Sequence, residues 1–147
     1  MNNKNESTKS DYQSALRFVQ YIVNTVEFHT NEEFDEETSV GIDFSVKRDI
    51  KFLDDEDNTM LVTLLINIFD NPQENNYPFS MFVSLTGIFE IDEVSSEQKS
   101  NLAQINAVAI LFPYVRSLVS TYTANANVSP LILPAINVIK LIESQED

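Results

Sequence analysis

The sequence contains no cysteine, and it has only 2 glycines and 1 histidine among its 147 residues. Without cysteine the chain forms no disulfide and cannot use a thiolate as a nucleophile or metal ligand, which fits a reducing compartment. The scarcity of glycine and a hydrophobic share of 43% are not those of a low-complexity or disordered chain. We therefore expect one compact domain with a hydrophobic core.

Basic residues are also few, since 9 Lys and Arg stand against 23 Asp and Glu, for a formal net charge of −14. Such a surface repels the phosphates of nucleic acids and of anionic lipid headgroups, so we expect no nucleic-acid partner. A basic partner surface would complement this charge, although the same charge would also serve solubility alone.

Long hydrophobic runs are absent as well. The N-terminus shows no apolar stretch of the kind found in secretory signals. The longest nearly apolar run extends from Ala107 to Val115, far short of the roughly 20 residues that a membrane-spanning helix needs. The sequence therefore predicts a cytoplasmic protein that does not insert into a membrane.

Patterns that carry enzyme chemistry are missing too. His29 is the only histidine, and no catalytic assembly can be argued from it. The acidic run Asp54–Asn58 lacks the spaced carboxylates of a calcium loop and is followed by Thr59 where such a loop needs glycine. Nothing in the sequence buries the acidic pairs Glu32-Glu33 and Glu36-Glu37 for acid–base work. We expect no enzyme, no metal site and no cofactor.

The N-terminal part of the chain predicts a tail and a first strand. Residues 1–11 are polar and are expected to form a flexible tail ahead of a single domain at 12–147. From Arg17 to His29 either an amphipathic helix or a strand fits the pattern. The alternation at Val26 and Phe28 favours a strand over the second half.

Three further strands follow, separated by short polar turns. A half-buried strand is predicted where apolar residues alternate with polar ones, at Val40, Ile42, Phe44 and Val46. Met60–Phe69 is apolar on both faces, which predicts a central strand covered on both sides, and Tyr77–Phe89 alternates again. Short connections between these strands predict an antiparallel sheet.

After the strands the spacing becomes helical. Ser95 and Gln98 can form a capping box, and Asn125–Asn127 can end the helix that follows. Pro113 should kink this helix, and Ala135–Ser144 predicts a short last helix. The long helix carries two apolar rows: Leu102, Ile105, Ala109 and Phe112 in one, and Val108, Leu111, Val115 and Leu118 in the other. Because one sheet cannot cover both rows, a second partner such as another subunit is implied.

Three segments of the C-terminal half carry a resemblance to a known family. They are Gly87–Phe89 at the end of a strand, Ile110–Arg116 in the long helix and Pro130–Asn137 in the linker. In this order they resemble the SecB family of export chaperones, over about residues 79 to 141. The resemblance implies an α+β fold with a four-stranded antiparallel sheet, then one long kinked helix and a short C-terminal helix.

The resemblance also implies a function and partners. SecB proteins are homotetramers, built as dimers of dimers, that hold unfolded polypeptides and preproteins in long apolar grooves without ATP. They pass these clients to the SecA motor of the Sec pathway. The resemblance therefore implies a holdase that keeps preproteins competent for export.

Site residues follow from the resemblance. Candidates for unfolded-client binding are Phe34, Val40, Ile42, Phe44, Leu133, Ile136 and Val138. Of these, Val40, Ile42 and Phe44 could equally be core residues, whereas Phe34 is isolated in an acidic loop. Candidates for the subunit interface are Ile105, Ala109, Phe112, Tyr114 and Arg116.

One part of the SecB pattern is altered. The positions that contact SecA in the family correspond to Thr25, His29, Ser80 and Phe82, and none of these is acidic. The resemblance thus supports client holding more than delivery to SecA. Two alternatives stay open: a SecB-like chaperone dedicated to one client, such as the antitoxin of a toxin–antitoxin system, and an adaptor that binds one folded partner.

Overall fold

The structure, a computed structural model, describes residues 15–146, so the predicted tail and its boundary at residues 11 and 12 lie outside the described part. The strands are β1 Leu16–Thr30, β2 Phe44–Phe52, β3 Thr59–Ile68 and β4 Phe79–Ile91. The helices are α1 Pro72–Asn75, α2 Ser96–Asn101, α3 Ala107–Asn125 and α4 Val138–Gln145, and a π-helical turn, Leu102–Asn106, joins α2 to α3.

All four strands belong to one antiparallel sheet in the order β1-β4-β3-β2. Strands β2, β3 and β4 are neighbours in sequence and in the sheet, as their short connections predicted. The first strand pairs along the free side of β4 and forms one edge of the sheet within the described chain. The predicted α+β fold is confirmed.

The first strand is extended along its whole length, which settles the ambiguity between helix and strand. Its register with β4 shifts at two points, between Phe18 and Gln20 and between Val23 and Thr25. A β-bulge inserts an extra residue and interrupts the alternation of faces. This explains why the first half of β1 lacks a clear period of two in the sequence.

The second strand begins later than the sequence predicted. The alternation from Val40 indicated a strand there, but Val40 and Ile42 lie in the loop that precedes Phe44. The second half of β2 was obscured because Arg48 stands opposite Leu64, on the face of the sheet that carries the core. A charged residue at an inward position breaks the hydrophobic alternation on which the prediction rests.

Arg48 is accommodated there by polar partners. Its side chain is only 8% exposed, and its Nε atom lies 3.5 Å from a carboxylate oxygen of Glu146. Its Nη1 atom donates to the carbonyl of Gln104, 2.7 Å away, in the π-helical turn. One guanidinium thus joins β2, the long helix and the C-terminal end of α4.

The hydrophobic core lies between one face of the sheet and α3. Its fully buried members include Met60, Val62, Leu64 and Ile66 on β3, Val83, Leu85 and Phe89 on β4, and Val108, Leu111 and Val115 on α3. The other face of β3, with Leu61 and Leu65, is half-exposed. The prediction that β3 is covered on both sides is therefore wrong for the single chain.

The long helix begins and ends as its sequence predicted. The backbone N–H of Gln98 donates to the Ser95 hydroxyl at 3.1 Å, which is the forward half of a capping box. Beyond the last turn, Asn127 adopts a left-handed conformation with φ of 59°. The helix continues through Pro113, and the π-helical turn Leu102–Asn106 lies ahead of that proline.

The stretch Ser96–Asn125 is 30 residues long and, by length and composition alone, could cross a membrane. The sequence-based expectation that no segment is long enough is therefore too strict. In the structure, 44% of the most apolar stretch of this helix is buried inside the chain.

Gly87 marks a point where α3 approaches the sheet closely enough to exclude a side chain. A β-carbon at Gly87 would lie 2.5 Å from Cδ2 of Leu111 and 2.7 Å from Cε2 of Phe89, and both of these side chains are fully buried. Because neither neighbour has space to move, we expect Gly87→Ala to lower the free energy of unfolding by about 1–3 kcal/mol. Urea denaturation measures this change.

The matched control is Gly41→Ala, since nothing lies within 4 Å of a β-carbon added at Gly41. This variant should be as stable as the parent or more stable by up to about 1 kcal/mol, because alanine restricts the unfolded chain. Equal stability of the two variants would contradict the packing described at Gly87.

Candidate functional site

A cleft of about 960 Å³ opens at one end of the sheet. Three parts of the chain meet there: the loop 31–43 between β1 and β2, the adjoining ends of the strands, and the turn after α3. Its lining residues are Thr30, Asn31, Glu32, Phe34, Glu36, Thr38, Val40, Ile42, Phe69, Pro78, Phe79, Asn127, Val128, Ser129, Pro130 and Leu131.

Aromatic rings form the floor of the cleft. The ring of Phe69 lies 5.1 Å from that of Phe79 and 4.7 Å from that of Tyr77, and Phe79 stacks on Phe28 at 4.9 Å. Phe69 is 4% exposed and has a φ of 55°, a left-handed conformation that bulky residues rarely adopt. Such a conformation costs about 1–3 kcal/mol and persists where the surrounding contacts impose it, often at ligand sites.

The loop 31–43 makes the first wall, and buried Asn31 anchors its beginning. The Asn31 side chain donates to the carbonyls of Tyr77 and Pro72, at 2.9 and 3.2 Å, and accepts the backbone N–H of Glu33. Farther along, the backbone N–H of Asp35 donates to the side chain of Asn76 at 3.0 Å. The loop therefore has a defined course although it contains no regular structure.

The turn after α3 makes the opposite wall, and buried Thr123 holds it. The Thr123 hydroxyl accepts the backbone N–H of Leu131 at 2.8 Å and donates to the carbonyl of Val119. The hydroxyl of Ser120 donates to the carbonyl of Leu131 at 3.3 Å. These bonds fix Leu131, the last lining residue of this turn, across the cleft from the loop 31–43.

The rim of the cleft is acidic. Glu32 and Glu36 line it, and Lys and Arg are absent from its lining. Ile42, an apolar lining residue, is 48% exposed. Because the rings of Phe69 and Phe79 are buried, the surface open to a ligand is that of Ile42 and the acidic rim, which suits a ligand with apolar and basic side chains.

A second, smaller hollow of about 340 Å³ lies between α3 and the segment that leads into α4. It is mostly apolar and includes Phe112, Pro113 and Arg116. The Nε atom of Arg116 donates to the carbonyl of Leu133 at 2.9 Å, which fixes the linker to the helix.

The structure divides the predicted client-binding residues between these two hollows. Phe34, Val40 and Ile42 line the large cleft, whereas Ile136 and Val138 line the small hollow. Neither lining includes the half-buried Phe44 or Leu133, and Leu133 is fully buried in the core. The two groups of predicted residues therefore do not form one continuous site in the single chain.

Sequence reasoning missed the floor and the second wall of the cleft. The sequence pattern places Phe69 at the end of an apolar strand, and its left-handed backbone has no local signal other than the turn residues Asp70-Asn71-Pro72 that follow. Residues 127–131 reach the cleft only through the packing of α3, which a linear pattern does not reveal.

The predicted interface residues are partly exposed. Ile105 and Tyr114 are 43% and 38% exposed and Ala109 is also exposed, whereas Phe112 is 5% exposed and belongs to the core. The ring of Tyr114 lies 4.6 Å from that of Tyr21 on β1. Other large apolar residues exposed on this edge strand are Val19, Ile22 and Val23.

The positions that correspond to the SecA contacts lie together on the face of the sheet that α3 leaves uncovered. His29 pairs with Ser80, and the next pair on the same face of the sheet is Glu27 with Phe82. Glu27 is a carboxylate within this group that the sequence resemblance did not indicate. The patch therefore holds one exposed acid beside one half-buried aromatic ring.

Local hydrogen bonds shift the pKa of three titratable groups in the described chain: Arg17, raised by its bond to Asp92, and Tyr77 and Asp55. The Tyr77 hydroxyl donates to Asp43 at 2.9 Å, and this bond raises the pKa of Tyr77. Thr59 donates its hydroxyl and its backbone N–H to Asp55, at 2.6 and 2.8 Å, which lowers the pKa of Asp55. The bonds between Asp55 and Thr59 belong to the turn between β2 and β3. Residues 15–146 contain no cluster of three or more His, Cys, Asp or Glu arranged to hold a metal.

A four-stranded antiparallel sheet followed by a long helix and a short C-terminal helix is also the fold of a SecB-like chaperone of known structure. The family model described as preprotein translocase subunit SecB matches residues 17–147. The chain belongs to the SecB family, whose members are chaperones and not enzymes. Membership confirms the resemblance seen in the sequence and supports a chaperone role.

Two relatives show how sequence similarity is distributed. An uncharacterized protein of Methanocaldococcus jannaschii is 36% identical over 133 residues, which cover 90% of this chain and 86% of that protein. The protein-export protein SecB of Neorickettsia sennetsu is 34% identical over 79 residues, 53% of this chain and 48% of that protein. This chain thus matches about half the length of that export protein.

Solved structures share the fold at lower identity. One is the SecB-like chaperone of Mycobacterium tuberculosis in complex with a peptide from the HigA1 antitoxin, with a TM-score of 0.68 and 12% identity over 82% of this chain and 90% of that one. Another is a protein of unknown function from Streptococcus agalactiae, with a TM-score of 0.56 and 17% identity, covering 81% and 96%.

Thr123 offers a test of the second wall. Thr123→Val keeps the shape of the side chain but leaves the buried backbone N–H of Leu131 without its acceptor. We expect the free energy of unfolding to fall by about 1–3 kcal/mol, the cost of an unsatisfied buried polar group. Thermal or urea denaturation measures it.

The same substitution at exposed Thr121, two residues earlier on the helix, serves as the control. Its effect should stay within about 0.5 kcal/mol, as is usual for surface positions. A Thr123→Val chain as stable as the Thr121→Val chain would show that the hydroxyl does not hold the wall.

Proposed function

We propose that this protein is a holdase that binds unfolded polypeptides in the large cleft and keeps preproteins competent for export by the Sec pathway. The observation that carries this proposal is the open cleft itself, whose wall presents exposed Ile42 and the half-buried Phe34 and Val40 to water. Membership of the SecB family supports it. We propose that it acts in the cytoplasm.

The physical basis is burial of apolar surface from a non-native chain. Unfolded polypeptides expose aromatic and aliphatic side chains, and covering them gains roughly 25 cal/mol per Å² of apolar area. The contact is non-directional, so the cleft accepts many sequences. Because the holdase binds the unfolded state, it delays folding by mass action and needs no nucleotide.

Self-association would join several clefts for one long client. The edge strand β1 and the exposed apolar residues Val19, Ile22 and Tyr114 are the surfaces we propose for assembly into a homotetramer. An exposed edge strand with apolar side chains is a ready template for pairing with a second strand. Several weak clefts on one tetramer would then raise the avidity for a long chain.

A second candidate is a chaperone dedicated to one client. It is favoured by the structural neighbour whose solved complex contains an antitoxin peptide, and by the scarcity of acidic residues at the positions expected to contact SecA. A general holdase would slow the refolding of unrelated denatured proteins, whereas a dedicated chaperone would protect one client only. A non-chaperone adaptor would have no effect on any denatured protein, and a folded partner would be recovered with it from a lysate.

The test of client binding uses a permanently unfolded polypeptide and Phe34→Ser. Phe34 lines the cleft and is only partly covered by its own chain. Removing an aromatic contact of this kind costs about 1–2 kcal/mol, so we expect affinity to fall about 5- to 30-fold. Isothermal titration calorimetry measures it.

Phe52→Ser is the matched control, because Phe52 is 44% exposed and lies outside both hollows. This variant should bind the unfolded polypeptide like the parent. If the parent binds no unfolded chain, or if both variants lose affinity equally, the proposal is wrong.

The acidic rim predicts a preference for basic clients. Neutralising Glu32 and Glu36 with the double substitution Glu32→Gln and Glu36→Gln should weaken binding of a Lys- and Arg-containing unfolded peptide by about two- to tenfold at low salt. Added salt should reduce this difference, because exposed charges are screened. Binding of an uncharged peptide is the control and should not change. A salt-independent preference would contradict an electrostatic origin.

A further inference from the structure

The C-terminal end of the loop 31–43 is held in place by one residue, Asp43. Its carboxylate accepts the Tyr77 hydroxyl at 2.9 Å, and its backbone carbonyl accepts the N–H of Phe69, also at 2.9 Å. The two donors are themselves in contact, since their rings lie 4.7 Å apart. Asp43 therefore joins the loop to Phe69, which forms part of the cleft floor, and to Tyr77 beside it.

The stretch before Asp43 has little else to hold it. Within the described chain, residues 39–42 make no hydrogen bond to the rest of the protein. The space beside Gly41 is open, since a β-carbon there would have no neighbour within 4 Å, and Ile42 is 48% exposed. Val40, which packs at the margin of the core, and Ile42 nevertheless both line the cleft.

The beginning and middle of the loop do not depend on this contact. Asn31 anchors the beginning, and the bond from Asp35 to Asn76 anchors the middle. The bonds of Thr38 run to Asp35, inside the same loop. Loss of the Asp43–Tyr77 bond would therefore leave the apolar end of the wall held only by the Asp43 carbonyl and the packing of Val40, with the acidic part unchanged.

We propose that the Asp43–Tyr77 hydrogen bond is a latch that holds Val40 and Ile42 in position on the cleft wall, so that Asp43 and Tyr77 are positioning residues for client binding. This inference rests on the proposed function. A wall that is already ordered loses less conformational entropy when a client binds, and the latch acts by reducing that cost.

The hydroxyl of Tyr77 can be removed without disturbing its ring. Tyr77→Phe keeps the contact with Phe69 and eliminates the donor, whereas Asp43→Ala eliminates the acceptor. Asp43→Asn retains an oxygen that can accept the same bond. Together, these three variants distinguish loss of the hydrogen bond from loss of side-chain volume.

The experiment measures binding of an uncharged, permanently unfolded polypeptide, which removes the contribution of the Asp43 charge to client attraction. We expect Tyr77→Phe and Asp43→Ala each to weaken binding about fivefold. This change in affinity corresponds to the net free energy of a hydrogen bond of average strength. The double variant should bind no more weakly than either single one, because both remove the same bond. Asp43→Asn should bind like the parent.

Two further readouts distinguish positioning from general destabilisation. The urea midpoint should shift only slightly in all variants, since a single exposed hydrogen bond adds little to global stability. Amide hydrogen exchange should accelerate at Phe69, whose N–H donates to the Asp43 carbonyl, but not at Asp35, whose N–H donates to Asn76. Parental affinity in Tyr77→Phe, additive losses in the double variant, or an Asp43→Asn chain that behaves like Asp43→Ala would each overturn the latch. If the parent itself binds no client, the proposed function fails before any variant is compared, and the positioning role fails with it.

Discussion

The close contact between Leu111 of α3 and Gly87 of β4 sets how the helix lies on the sheet. Around it, the apolar faces of β3 and β4 are sealed from water, with Leu64, Leu85 and Val115 fully buried. Burial of these side chains is the main favourable contribution to the fold. Because the buried face of α3 covers the middle of the sheet, the end beyond Phe69 and Phe79 is left uncovered, and the cleft lies there.

The cleft is open, yet its walls are not loose. Each wall is an irregular segment fixed by buried polar side chains, Asn31 on one side and Thr123 on the other. Polar groups that are buried and fully bonded specify one conformation, whereas apolar packing tolerates several. A cleft built this way keeps apolar Ile42 exposed to water, because its own walls are prevented from collapsing onto it.

Much of the fold could be predicted from the sequence because its signals are local. The cap at Ser95, the left-handed Asn127 and the alternation along β4 depend on residues a few positions apart. Arg48 could not be placed, since its partners at Gln104 and Glu146 come from distant segments. At the site, the resemblance to SecB proteins indicated the acidic loop, while the floor and second wall arise from tertiary packing alone.

The central claim is that non-native chains bind between the acidic loop and the turn after α3. Methyl-labelled NMR of the full chain with an unfolded polypeptide tests it most directly. The account predicts that resonances of Val40, Ile42, Val128 and Leu131, which line the cleft, shift on titration, while those of core residues such as Leu64 and Val115 do not. Shifts confined to β1, or no shift at any methyl group of the cleft, would contradict the account.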